Sequence, residues 1–155
     1  MRAAAPATLD PSRPVAEFLP REATQIVAGP LWHSAVFTYA FRGLLTRHRL
    51  VILDRFDAAR WIDAVEAHRA TWGLLVPSMM ARLVRLPPEV RAAERVASIE
   101  SVLHMGAPCA PALKSAFIDW IGPERVDEVY AGSESNGLTR ITGTEWRERP
   151  GSVGR

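Results

Sequence analysis

The stretch SIESVLHMGAPCAPALKSAFIDWIGPERVDEVY, residues 98–130, predicts a strand, a helix and a second strand joined by sharp breaks. Its first part, 98–105, ends in the kind of apolar run that buried strands show. A Gly-Ala-Pro segment, residues 106–108, then interrupts regular structure. A helix is predicted to open at Pro111 and to end at Gly122, with one apolar face formed by Leu113, Phe117, Trp120 and Ile121.

Strands alternate with helices in the rest of the chain as well. Three more strands are predicted: TQIVAG (24–29), the fully apolar and buried RLVILD (49–54) and TWGLLV (71–76). The second strand of the opening stretch, ERVDEVY (124–130), is predicted to be the last of the sheet. Helices are expected over 35–45, after Asp57 as N-cap, and from Pro77 at a first helical position. This alternation predicts an α/β fold with a mainly parallel β-sheet and flanking helices. The tail, EWRERPGSVGR, shows no period and is interpreted as a loop.

The composition and charge of the chain argue against several classes of protein. The chain has 155 residues, 48% of them hydrophobic, which is enough for a packed core. Net charge is only +2 and the arginines are scattered, so nucleic-acid binding is not indicated. A lone cysteine, no membrane-length apolar run and no signal-peptide pattern predict a cytoplasmic location. Residues 1–22, rich in Ala and Pro, are interpreted as a flexible arm before a domain over 23–155.

The segment VYAGSESNGLT, residues 129–139, is the strongest candidate site. Small residues leave the backbone bare around Glu134, whose carboxylate suits Mg²⁺ that is held partly by phosphates. Ser133 can donate a hydrogen bond to an anionic oxygen, and Tyr130 can offer a ring face to a base. The alternative interpretation is a polar turn with an exposed glutamate.

The position of this segment after a strand matters, because open α/β sheets bind ligands at the carboxyl ends of their strands. Three other loops are predicted to follow strands, at 30–34, 77–78 and 105–108. A parallel sheet would bring all four loops to one edge.

Other reactive side chains are assigned structural or surface roles. Their spacing matches no zinc site. His33, in a strand-to-helix turn, is interpreted as structural rather than catalytic from its position alone. The remaining predictions are a core or edge position for His104, a small packed residue for Cys109, and solvated positions for His48, His68 and Lys114, the only lysine.

Five segments in this order resemble the adenylate-forming enzymes, the superfamily of acyl-CoA synthetases and AMP-dependent ligases. They are PLWHSA, VPSMMARL, HMGAPCAPALK, YAGSE and EWRERPGSVGR, and the resemblance runs from about Ile26 to Arg155. Ala131 stands where the Tyr-Gly-x-Thr-Glu motif usually has Gly, and Met105 where a Gly often precedes Gly-Ala-Pro. The resemblance implies part of the large N-terminal domain of a ligase similar to the fatty-acid CoA ligases.

The resemblance also implies roles for individual residues. It implies that Tyr130 stacks on adenine, Ser133 contacts the α-phosphate and Glu134 binds Mg²⁺, with Ala131 and Gly132 beside the nucleotide. It implies an acyl pocket lined by His33, Met105, Gly106, Ala107 and Pro108. ATP or AMP, Mg²⁺ and coenzyme A would be bound, and the partner would be a fatty or aromatic carboxylic acid.

The activity implied is ATP-dependent activation of the acid to an acyl-adenylate, followed by thioester formation with coenzyme A. No Ser/Thr/Gly-rich phosphate loop ending in Lys occurs, and neither the ribose-binding Asp motif nor the C-terminal lysine is found. The catalytic set is therefore incomplete in this chain. We expect a fragment of an acyl-CoA synthetase that is inactive alone. The alternatives are a non-catalytic nucleotide- or acyl-binding module of the same α/β class, and an interaction domain.

Overall fold

The computed structural model describes Pro20, residues 22–132 and residues 137–155. The strands are β1 (Thr24–Val27), β2 (Arg49–Ile52), β3 (Trp72–Leu75), β4 (Ser101–His104), β5 (Val126–Ala131) and β6 (Leu138–Thr142). The helices are α1 (Ser34–Leu45), α2 (Ala58–His68), α3 (Pro77–Val84), α4 (Pro111–Ile121) and α5 (Gly143–Glu148). The predicted arm lies outside the described residues except at Pro20 and Glu22. Nε2 of His48 donates to the Pro20 carbonyl at 2.8 Å.

The helix ends follow the local chemistry of the sequence. Pro77 and Pro111 occupy the first turns of α3 and α4, where a missing N–H costs nothing. Gly122 follows α4 with φ +108°, a conformation that side chains other than glycine rarely adopt. Asp57 caps α2, since its carboxylate accepts the backbone N–H of Arg60 at 3.0 Å. These predicted boundaries are confirmed.

Replacing the Asp57 cap should weaken α2 without disturbing the sheet. We expect Asp57→Ala to lower the midpoint of thermal unfolding by a few degrees, because an N–H in the first turn loses its acceptor. Asp57→Asn, which keeps an acceptor oxygen, should stay close to wild type. Circular dichroism of both variants checks this, and an equal loss in both would contradict the capping role.

The six strands form one sheet in the order β2-β1-β3-β4-β5-β6. Neighbours from β2 to β5 are parallel, and β6 runs antiparallel to β5. The prediction of a mainly parallel sheet with flanking helices is confirmed. The chain moves outward from β1 to β2 and then returns to place β3 on the other side of β1. This reversal makes a topological switch point between β1 and β3, one of the places where open α/β sheets bind ligands at the carboxyl ends of their strands.

Two predictions about the strands are wrong. The 49–54 run is an edge strand rather than a buried one, and Ile52 is 57% exposed. An apolar run predicts that a segment forms a strand, but it does not predict whether that strand lies at the centre or at the edge of the sheet. The strand ending at Tyr130 is not the last, because β6 follows it. The tail, which was predicted to be a loop, is partly helical, because residues 145–148 belong to α5. Thr142 and Glu145 form a reciprocal capping box that starts α5, and Trp146 packs in the core.

The sheet is covered unequally on its two faces. Helices α2, α3, α4 and α5 pack on one face over a large core that includes Trp61, Ile62, Leu83, Val102, Phe117, Ile118 and Trp146. A smaller cluster on the other face joins Tyr39 of α1 to Trp72, Leu74, Leu103 and Val129. Among the residues that the structure describes, no helix has the length and apolarity needed to cross a bilayer.

Candidate functional site

The carboxyl ends of three central strands lie side by side. Leu75 pairs with His104, and His104 pairs with Glu128, in the parallel register of β3, β4 and β5. The backbone N–H of Met105 continues this pairing by donating to the Leu75 carbonyl at 3.3 Å. The loops that follow these strands therefore leave the sheet at the same edge. Gly106 comes two residues after His104, and Tyr130 comes two residues after Glu128, the partner of His104.

The 105–108 loop presents open backbone at this edge. Gly106 has φ +88°, in the left-handed region that favours glycine. A Cβ at this position would meet only the Cγ1 of Val76, at 3.5 Å. Ala107 and Pro108 are exposed, while Met105 is half-buried beside the smaller core cluster. A flat ligand can therefore approach the loop from solvent.

Tyr130 stands at the end of β5 with its ring available. It is 66% exposed although its backbone pairs with Thr139 of β6. Ala131 and Gly132 follow it and are also exposed. A ring held by a paired backbone and open to solvent is a suitable platform for a planar base. Ser133 and Glu134 lie outside the described residues, so their proposed contacts stay predictions.

His33 lies apart from these loops. It is exposed at the N-cap of α1, makes no side-chain capping bond, and follows β1, which β3 separates from β4. The Trp32 ring lies beside it, with ring centroids 6.4 Å apart. The structure therefore brings the 105–108 loop and Tyr130 together and leaves His33 at the same edge but further along it.

The described residues contain no group of three His, Cys, Asp or Glu side chains arranged to hold a metal ion. The predicted Mg²⁺ ligand, Glu134, is outside this search. The described residues just before Glu134 are Ala131 and Gly132, which present backbone and small side chains at the edge of the sheet.

A buried polar cluster, made of His104, Lys114 and Glu128, lies just below the edge. Lys114 of α4 donates to Glu128 of β5, and the ammonium lies 4.9 Å from the centre of the Trp146 ring. Nε2 of His104 lies 4.0 Å from the same Glu128 oxygen. The prediction that Lys114 is solvated is wrong, since it is 1% exposed, and His104 is a core residue as one of its alternatives stated.

Burial dominates the electrostatics of this cluster. It lowers the pKa of His104 to about 3, with the charge of Lys114 acting in the same direction. Burial also lowers the pKa of Lys114, while Glu128 opposes that effect. His104 is therefore neutral at ordinary pH, and neither of its ring nitrogens has a hydrogen-bond partner.

The cluster could have been found in the sequence. Lys114 shares helical spacing with Phe117, Ile118 and Ile121, which is the apolar stripe that α4 buries. Glu128 alternates with Val126 on the same face of β5. A single cation and a single anion on two buried faces predict each other as partners.

Two further side chains differ in how well they were predicted. His48 is buried rather than solvated, because its ring packs edge-on against Trp72 and its Nδ1 lies 3.2 Å from Oε1 of Gln25. Burial lowers the pKa of His48. Cys109 is half-buried against the larger core, and burial raises the pKa of its thiol, in line with a packed residue.

The sequence is similar to a family of known enzymes. The family model described as AMP-binding enzyme matches residues 5–155. A probable CoA ligase, CCL5, of Humulus lupulus is 30% identical over 122 residues, covering 78% of this chain and 22% of the relative. A 4-coumarate–CoA ligase-like protein of Arabidopsis thaliana is 30% identical over 133 residues, covering 84% of this chain and 24% of the relative.

Solved structures share the fold. The amide bond synthetase McbA from Marinactinospora thermotolerans superposes with a TM-score of 0.76 at 25% identity, over 86% of this chain and 27% of that protein. The chain thus spans about a quarter of the length of the relatives it matches.

Proposed function

Since the chain belongs to the family of AMP-binding enzymes, we propose that it forms part of the adenylation domain of an acyl-CoA synthetase. Residues 23–155 would be that part. The observation that carries the proposal is the exposed Tyr130 ring beside the open 105–108 backbone at the carboxyl edge of the sheet. The likeness to two CoA ligases supports a thioester-forming ligase over other reactions of the family.

The proposed reaction joins two anions, which is the main physical difficulty. A carboxylate oxygen of the acid attacks the α-phosphorus of ATP, and pyrophosphate leaves with the electrons of the broken P–O bond. The thiol of coenzyme A then attacks the acyl carbon and AMP leaves. Holding both reactants at one edge converts their encounter into a unimolecular step.

This chain would contribute binding and orientation. Tyr130 would stack on the adenine, Ala131 and Gly132 would let the nucleotide lie close to the backbone, and Ser133 would donate to the α-phosphate. Gly106, Ala107 and Pro108 would border the acyl pocket together with Met105, and His33 would stand at its far wall. Mg²⁺ held by Glu134 would neutralise charge on the phosphates.

Full turnover would need groups beyond these residues. The sequence has no phosphate loop ending in Lys. Its only lysine, Lys114, is buried in the ion pair with Glu128 rather than exposed at the edge. We therefore propose that residues 1–155 bind ligand but do not complete thioester synthesis.

Removing the proposed base platform should weaken nucleotide binding. We expect Tyr130→Ala to weaken binding of a non-hydrolysable acyl-adenylate analogue about tenfold, because stacking on one base is lost. Isothermal titration calorimetry of the chain measures the affinity. Phe41→Ala is the matched control, since Phe41 is an exposed aromatic on α1.

The possible outcomes separate the hypotheses. Equal affinity in wild type and Tyr130→Ala would remove Tyr130 from the nucleotide site. No binding of the analogue by the wild type would favour an interaction module. Thioester synthesis by the pure chain would show that the catalytic set is more complete than proposed.

A further inference from the structure

The buried cluster of His104, Lys114 and Glu128 is placed where it can control the candidate site. His104 is the last residue of β4 and stands opposite Glu128 in the neighbouring strand. Gly106 and Tyr130 each follow two positions later. Since side chains alternate along a strand, Glu128 and Tyr130 project from the same face of β5. A shift in the position of Glu128 would therefore also shift the Tyr130 ring, the proposed stacking platform for the adenine base.

The cluster joins several elements through one carboxylate. Glu128 of β5 accepts from Lys114 of α4, whose ammonium also rests over the Trp146 ring of α5. His104 of β4 lies against the same carboxylate oxygen at 4.0 Å. The Glu128 carboxylate thus bonds β5 to α4 through Lys114, and His104 of β4 and Trp146 of α5 pack beside this pair.

Stability alone does not account for the charges. Moving an ammonium and a carboxylate out of water is expensive, and apolar side chains of similar volume fill such a space with equal or greater stability. A charge-assisted hydrogen bond differs from apolar packing in being directional, so it selects one geometry among several similar ones. Apolar packing of the same volume constrains the direction of the strand ends less than such a bond does.

We propose that the Lys114–Glu128 pair, with His104 against it, is a positioning device that fixes the 105–108 loop relative to Tyr130. Its value for ligand binding rests on the proposed function above. Lys114 and Glu128 are positioning residues, because both act through the strand ends rather than by touching ligand. The device predicts that loop order and ligand affinity fall when the pair is replaced, even where folding stability is kept.

The test replaces the pair by apolar residues in the whole chain. Lys114→Met/Glu128→Leu removes both charges and fills the space, so the thermal midpoint should stay near that of wild type. Amide hydrogen exchange, followed by mass spectrometry, should nevertheless become about tenfold faster at 105–108 and 130–132. Binding of the acyl-adenylate analogue should weaken by a similar factor.

Asp127→Asn is the matched control. Asp127 is a buried acid on the same strand, next to Glu128, and pairs with Arg140 at 2.7 Å. It lies on the opposite face, so its loss should leave exchange at 105–108 unchanged. If the apolar double variant does not fold, Lys114→Met/Glu128→Gln carries the test, since it removes both charges and the hydrogen bond between the two side chains while keeping the shape of Glu128.

The exchange and binding measurements distinguish the positioning role from the proposed function. Native-like exchange at 105–108 and 130–132 in a stable apolar double variant, or in Lys114→Met/Glu128→Gln, would overturn the positioning role. Faster exchange confined to those segments would support it. Failure of the wild type to bind the analogue would count against the proposed function, and the exchange comparison would still decide the positioning role.

Discussion

Lys114→Met should be among the most destabilising single substitutions in this protein. It removes the partner of Glu128 and leaves a carboxylate buried in the middle of β5. We expect the free energy of unfolding to fall by about 3–5 kcal/mol, the usual range when one member of a buried pair is removed. Urea denaturation followed by tryptophan fluorescence measures this loss.

Two comparisons isolate the cause. The double variant Lys114→Met/Glu128→Leu should recover most of the stability, since no uncompensated charge remains. Arg60→Met, which breaks an exposed pair with Asp54 at 3.6 Å, should change little. If the single and double variants lost stability equally, the deficit would come from packing of the lysine stem rather than from the charge on Glu128.

Much of the architecture was predictable because local signals mark where elements begin and end. Prolines at the starts of α3 and α4 and the Asp57 cap act within one helical turn, so the residues themselves decide the boundary. The alternation of strands and helices then restricts the sheet to mainly parallel pairing. These inferences need no knowledge of distant contacts.

The failures concern properties that depend on distant contacts. The position of β2 at the edge is set by the order in which strands assemble, and RLVILD is as apolar as a central strand. Strand β6 was missed because its alternation, LTRIT, is short and follows a polar loop. The α5 helix had a readable start in Thr142 and Glu145, which form a capping box.

The candidate site divides in the same way. The edge that holds the 105–108 loop and Tyr130 follows from parallel topology and was predicted. The burial of Lys114 depends on Glu128, Trp146 and His104, which come from three other elements. A lone lysine on a helix is usually solvated, and only the combined periodicities of α4 and β5 indicate a partner.

The second large effect is a dependence of stability on pH that His104 controls. The native protein keeps this imidazole neutral, because burial and the nearby Lys114 lower the pKa to about 3 from an ordinary value of 6.5. The unfolded chain takes up a proton near pH 6.5, whereas the native protein does not. Stability from this residue is therefore complete above that pH and is lost as the pH falls toward 3.

The loss of stability per pH unit is set by the one proton that the unfolded chain binds at His104 and the native protein does not. Each pH unit in this window removes about 1.4 kcal/mol, so about 2 kcal/mol should be lost between pH 6.5 and about pH 5. His104→Leu should abolish this portion of the slope, since the variant has no imidazole to protonate.

The difference in slope between His104→Leu and wild type excludes the contribution of the other buried histidine, His48. Burial lowers the pKa of His48 as well, so acid destabilises through that residue in the same direction, but it is present in both proteins and cancels. Free energies of unfolding from urea titrations at several pH values give the slope. Equal slopes in the two proteins would mean that the folded protein accepts a proton on His104. The imidazolium would then share Glu128 with Lys114, and closing the 4.0 Å separation to a hydrogen bond would be the structural change to look for.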